Sequence, residues 1–171
     1  MSVSENLHTI SLFVANKPGV LLRVTLVFAR RGFNIESLVV SSAFDGRYSR
    51  MTITAKGNNK DLEQIVKQLG KLVDVIESKD NSQTASLERE LALMKIRITP
   101  TNRQDLLQVV DHFKAKTVDL TDDSIIIEVS GNSEKITAFI DLMSPYEVIE
   151  LVRSGKMVMQ RGLQEEVEHV R

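Results

Sequence analysis

One order of segments occurs twice in this chain and restricts its fold more than any single motif: strand, helix, two strands, helix, strand. In the first pass His8–Ala15 alternates, with Ile10, Leu12 and Val14 on one face, as a half-buried strand requires. Asn16-Lys17-Pro18-Gly19 breaks it. Val20–Arg31 then carries Val20, Val24 and Val27 at helical spacing with Leu21 and Phe28 alongside, and Gly32 stands in the C-cap position. Asn34–Ser42 and Tyr48–Ala55 are strands about the turn signal Asp45-Gly46. Asn58 or Asn59 can cap a helix bearing Leu62, Ile65, Val66 and Leu69, and Asp74–Lys79 is a short fourth strand.

The second pass begins beyond the small, polar stretch Asp80–Ser86. Leu91–Thr99 reads as a strand and Asn102–Phe113 as a helix presenting Leu106, Val109, Val110 and Phe113. Lys116–Leu120 and Ser124–Ser130 form a hairpin, and Asn132–Met143 is a helix with Ile136, Phe139, Ile140 and Met143 on one side. Tyr146–Arg153 is the fourth strand, and Ser154-Gly155 turns into Lys156–Met159. The expected class is α+β: two ferredoxin-like βαββαβ units in tandem, each an antiparallel sheet with both helices on one face. The expected division is residues 1–79, a linker at 80–88, a second domain at 89–162 and a fraying charged tail at 163–171. Thr9, Ser11, Phe13, Tyr48, Arg50, Thr52 and Thr54 fall on the first sheet's other face, a mixed set suited to solvent or a partner.

The chemistry-bearing side chains argue against catalysis. There is no Cys, so thiolate metal sites and cysteine nucleophiles are excluded. His8, His112 and His169 have no second His or carboxylate at metal-ligand or triad spacing, and neither GxxxxGK[ST] nor GxGxxG is present. Asp122/Asp123 and Glu165/Glu166 read as solvated pairs in a turn and the tail. A net charge of -1 gives no general attraction to nucleic acid, and Phe13 and Tyr48 alone do not make the aromatic platform of an RNA-binding ferredoxin-like module. A small ferredoxin-like hydrolase would need a Gly-rich anion loop, which does not precede Arg23. With no signal-like or membrane-spanning run, the expected location is the cytoplasm.

Asn16-Lys17-Pro18-Gly19-Val20-Leu21 runs from a strand into a helix. Unpaired N–H groups and partial positive charge at that helix start attract a carboxylate, and Gly19 leaves the backbone approachable. Asn16, and Asn34 at the opening of the second strand, supply amides that can accept from an ammonium. Together they could hold the polar end of an amino acid. The same residues also suit a tight turn and a cap, and spacing leaves both readings open.

Longer stretches carry a resemblance. NKPGVLLRV, RRGFNIESLVV, YSRMTI and LEQIVKQLGKLVDVI, followed by LERELALMKI, AKTVDL and ELVRSGKMVMQRG, resemble the regulatory (small) subunits of acetohydroxyacid synthase, also called acetolactate synthase, whose first half is an ACT domain. The likeness runs from about Leu7 to Gly162, with departures at the Ser42–Arg47 loop. It implies valine bound between two ACT domains of a homodimer, by Asn16, Gly19, Val20 and Leu21 of one protomer and Asn34 and Ile35 of its partner. It further implies a chain that is not itself an enzyme but stimulates a catalytic large subunit and confers feedback inhibition by valine. Thiamine diphosphate, FAD and Mg then belong to that subunit, with no cofactor in this chain and no nucleic-acid or membrane partner. An ACT-type sensor regulating a different enzyme is the alternative expectation.

Overall fold

The computed structural model describes residues 6–82 and 86–162. The elements are β1 (Asn6–Ala15), α1 (Val20–Arg30), β2 (Ile35–Ser42), β3 (Tyr48–Gly57), α2 (Asn59–Leu69), β4 (Val75–Asp80), β5 (Ser86–Arg97), α3 (Arg103–His112), β6 (Lys116–Leu120), β7 (Ser124–Gly131), α4 (Ser133–Met143), β8 (Val148–Arg153) and β9 (Met157–Gln160). Two compact units result, one of Met1–Leu87 with Gly155–Arg171, the other of Glu88–Ser154.

In the first unit the sheet order is β2-β3-β1-β4, every neighbour antiparallel. The second has the same order in its own elements, β6-β7-β5-β8, with β9 off this path on β5, the strand that straddles the boundary. The α+β fold of two βαββαβ units is therefore as the segment order requires.

Alternation and helical spacing explain the first core. Ile10, Leu12 and Val14 of β1 and Met51, Ile53 and Ala55 of β3 meet Val20, Val24 and Phe28 of α1 and Leu62, Ile65 and Leu69 of α2. The second core packs Ala92, Met94, Ile96, Ile125, Ile127 and Val129 under α3 and α4, with Phe139 fully enclosed. At about 25 cal/mol per Å² of apolar surface, such burial is the main stabilising term in each.

Helix ends follow local chemistry. Asn58 caps α2 by accepting from the Asp61 N–H at 2.9 Å, and Asn132 caps α4 by accepting from the Lys135 N–H at 3.0 Å. α1 ends one residue earlier than its spacing suggests, at Arg30, with Gly32 at φ 73° and the Phe33 N–H returning to the Phe28 carbonyl at 3.0 Å. β5 starts at Ser86, five residues ahead of the expected Leu91. In the expected linker, Asn81 and Ser82 instead run alongside β1: the Asn81 N–H donates to the Thr9 carbonyl at 2.8 Å, and the Thr9 N–H to Ser82 Oγ at 3.0 Å. The tail expected at 163–171 lies outside the described residues.

The first sheet's face away from the helices is partly covered by its own unit. A Cβ on Gly155 would lie 2.7 Å from Val39 Cγ2 and 3.1 Å from Ser37 Oγ, so the chain returns there at a distance only glycine permits. Thr9 and Thr54, on that face, are each only 3% exposed.

Candidate functional site

The strand-to-helix loop of the first unit is built around one backbone conformation. Gly19 sits at φ 83°, ψ -8° as the residue before α1, a left-handed geometry that L side chains adopt at a cost of about 1–2 kcal/mol. Added bulk at Gly19 would meet only Arg23 Nη1, at 3.5 Å, so glycine is required by the turn rather than by crowding. No side chain caps α1, and its first turn holds no acidic residue. The first helical bond is Arg23 N–H to Gly19 carbonyl at 3.1 Å, while the Val20 N–H reaches the Lys17 carbonyl only at 3.4 Å. The Gly19, Leu21 and Leu22 N–H groups have no acceptor among the described residues. Three open donors at the positive end of a helix make a receptor for a carboxylate.

The expected site residues take distinct places around this end. The Asn16 side-chain NH2 donates to the Gly46 carbonyl at 2.9 Å and its backbone N–H to the Arg47 carbonyl at 2.8 Å, pinning the loop to the β2–β3 turn. The Asn16 side-chain oxygen remains as an acceptor. Val20, an expected site residue, is 2% exposed with its side chain in the core, and its N–H is turned to the Lys17 carbonyl, which leaves the open donors at Gly19, Leu21 and Leu22. Leu21 is 41% exposed. Asn34 is exposed and its NH2 lies 3.3 Å from Glu36 Oε1. Ile35 packs against the core and begins β2 opposite Ala55, next to a bulge.

Two neighbours were not legible from spacing. Arg23, one turn into α1, forms an ion pair with Asp74 Oδ2 at 2.6 Å and places a cation over the same loop. Asp45, in the turn that holds Asn16, is kept below the usual carboxylate range by its hydrogen bond to Arg47. For Arg23, the only sequence signal is its position four residues after Gly19, one turn along the same face.

The first unit does not bring its two amides together. Ile35 aligns with Ala55 and Ala55 with His8, whereas Ala15 aligns with Tyr48. Asn34 and Asn16 therefore stand at opposite ends of the sheet. The seven residue steps from His8 to Ala15 along β1 span about 23 Å.

The fold also brings together a histidine, an aspartate and a serine that sequence spacing keeps apart. His8 is 5% exposed, and its Nδ1 lies 3.3 Å from Asp80 Oδ2 and 3.3 Å from Ser82 Oγ. A nucleophilic relay needs carboxylate and hydroxyl on opposite ring nitrogens. Here both share Nδ1, Nε2 is buried without a partner, and the Ser82 hydroxyl donates to Asp80. The arrangement ties β1 to the end of β4 and cannot activate the serine. No group of three or more His, Cys, Asp and Glu able to hold a metal occurs among the described residues, and no helix is long and apolar enough to cross a membrane.

Two family models match successive stretches of the chain. Residues 10–77 match the family model of an AHAS small subunit-like ACT domain, and residues 89–162 that of the small subunit of acetolactate synthase. The chain is 47% identical over 155 residues to a probable acetolactate synthase small subunit of Archaeoglobus fulgidus, covering 91% of this chain and 97% of that protein. It is 43% identical to the acetolactate synthase small subunit of Mycolicibacterium smegmatis, over 95% of each chain. The crystal structure of the acetolactate synthase small subunit from Thermotoga maritima superposes with a TM-score of 0.83 at 38% identity, covering 93% of this chain and 99% of that one. The chain belongs to the acetolactate synthase small-subunit family, with an ACT domain as its first half.

Proposed function

We propose that this chain is a regulatory subunit that raises the activity of a separate catalytic acetolactate synthase subunit and lets valine lower it. Valine binds between the ACT domains of a homodimer. The observation that carries this reading is the uncapped start of α1, with open N–H groups at Gly19, Leu21 and Leu22. The valine carboxylate lies against them, and the ammonium meets the side-chain oxygens of Asn16 and of the partner's Asn34, beside the partner's Ile35.

Topology supports a shared site. β2 is an edge strand, a ready template for pairing, and α1 leaves Leu22 62% and Leu26 39% exposed beside it. β2 runs parallel to β1, so its Ser42 end is the Asn16 end of the sheet. Antiparallel pairing of two β2 edges about a two-fold axis carries the Asn34 end of one protomer to the Asn16 end of the other. A rotation at that seam alters both halves of the pocket together, which gives valine different affinities for two arrangements, the requirement for coupling.

The chain has no catalytic residue of its own in this reading, and thiamine diphosphate, FAD and Mg reside on the catalytic subunit, in the cytoplasm. The test mixes the purified chain with its catalytic subunit and titrates valine. Stimulation that valine reverses, and that Asn16→Ala or Asn34→Ala makes insensitive, is the expected result. Valine acting equally without the chain overturns it. Valine binding without any effect on that enzyme favours an ACT sensor serving another one.

A further inference from the structure

Arg23 is set over the loop that opens α1 and has donors to spare. It is the fourth residue of that helix, after Val20, Leu21 and Leu22. Helical side chains lean toward the N-terminus of their helix, so a long residue at this position reaches back over the first turn. One distance records the reach: Arg23 Nη1 lies 3.5 Å from where a Cβ on Gly19 would stand. The guanidinium therefore borders the space that the glycine leaves open.

Asp74 sets that position. Arg23 Nη2 donates to Asp74 Oδ2 at 2.6 Å. Asp74 is fixed in turn through its backbone, where its carbonyl accepts from the Ala15 N–H at 2.8 Å, at the end of the strand that leads into the loop. The pair does little for stability, because the Arg23 side chain is 47% exposed and water screens an ion pair held at the surface. It does orient the guanidinium. This group is a planar fork of several donors, so one nitrogen can stay on Asp74 while another faces a different acceptor. Nη1 has no acceptor among the described residues.

From the distance to Gly19, the tether to Asp74 and the open nitrogen together, we propose that Arg23 is a binding residue of the valine site, donating from Nη1 to the ligand's carboxylate while Asp74 holds Nη2. The donor count fits that chemistry. Gly19, Leu21 and Leu22 offer three open N–H groups, and an ionised carboxylate has about four acceptor sites. Nη1 is the fourth donor and the one that bears charge, which makes its hydrogen bond the strongest of the set. This role rests on the valine reading of the loop and adds a selection rule to it: the site favours an amino acid with an ionised head group over the corresponding amide.

The experiment titrates the full chain calorimetrically with valine and with valinamide. Wild type should bind valine at least about tenfold more tightly than valinamide, and Arg23→Met should weaken valine by about tenfold or more, the scale of a hydrogen bond to a charged group. Arg23→Gln takes the place of the methionine variant should that one lose its native thermal transition. Arg23→Lys keeps the charge and loses the fork, so its valine affinity should fall between those of wild type and Arg23→Met. Asp74→Asn breaks the ion pair and keeps the cation, so valine affinity should stay within about threefold of wild type. If Arg23 served only to hold Asp74, Asp74→Asn would be as damaging as Arg23→Met, and that result overturns the role. Equal affinity for valine and valinamide, or valine binding that survives loss of the Arg23 guanidinium, overturns it too while leaving the valine reading in place. A wild-type chain that binds no valine overturns both.

Discussion

The two units share a strand order and differ at one helix. Their second helices, α2 and α4, begin alike: Asn58 and Asn132 each accept from the N–H three residues on. Their first helices diverge. Ahead of α3, the Asn102 side chain accepts from the Thr99 N–H at 2.8 Å and donates to the Arg97 carbonyl at 3.3 Å, and Asp105 puts a carboxylate in the first turn. Ahead of α1, a glycine with positive φ replaces that network, and the turn has no acid of its own. Neither first helix has a side-chain cap, but α3 sets a carboxylate against its positive end and α1 does not. At α1 the open N–H groups lie beside the exposed Asn16, the arrangement on which the proposed ligand site rests.

The largest effects should fall on what the units share. Phe28 and Phe139 are among the largest fully buried side chains, one per core, and replacing either with Ala should cost about 3–5 kcal/mol by chemical denaturation. A loss confined to one of them would mean that the two cores are not equivalent supports. Next comes the divergent helix start. Gly19→Val should weaken valine binding at least tenfold, about 1.4 kcal/mol or more, in a calorimetric titration, whereas Asn102→Ala should leave it unchanged. A ligand effect from Asn102 would erase the distinction drawn here.

The paired caps predict a matched, smaller loss: Asn58→Ala and Asn132→Ala should each lower stability by about 1 kcal/mol. The smallest effect is specific to the first unit and to pH. Burial pushes the Asp80 carboxyl up, but the Ser82 hydroxyl and N–H and His8 together bring it below its ordinary value. A depressed folded value means a contribution complete above about pH 4 and lost as pH falls through the lowered value. Thermal scans of wild type and Asp80→Asn should therefore diverge near neutrality and converge in acid. Curves that stay parallel throughout would remove Asp80 from the account.

Most of the fold was legible because it rests on local signals: period-two alternation in Ile10, Leu12 and Val14, helical spacing in Leu62, Ile65 and Leu69, and the caps Asn58 and Asn132. The early start of β5 was not, because Glu88, Arg89 and Glu90 look like solvated chain. Glu90 is in fact 4% exposed, its charge met by Arg153 Nε at 2.6 Å and by the Ser133 hydroxyl, partners 63 and 43 residues away. The placement of β9 was equally hidden, since nothing in Met157–Gln160 states which face it will lie on. At the candidate site, residue types and the helix start could be read directly. The Asn16–Gly46 bond and the Arg23–Asp74 pair depend on segments 30 and 51 residues distant, which spacing along one chain does not reveal.

The placement of Asn16 and Asn34 at opposite ends of one sheet has a consequence for physiology. A pocket that needs both amides exists only where two copies of the chain have met, so its abundance follows protein concentration as well as affinity. If the proposed site is right, valine tightens the dimer by the same factor that dimerisation tightens valine. On the proposed reading, a cell holding few copies would need more valine for the same response. Doubling expression would then lower the valine needed without changing a single contact, and gene dosage would be part of the set point.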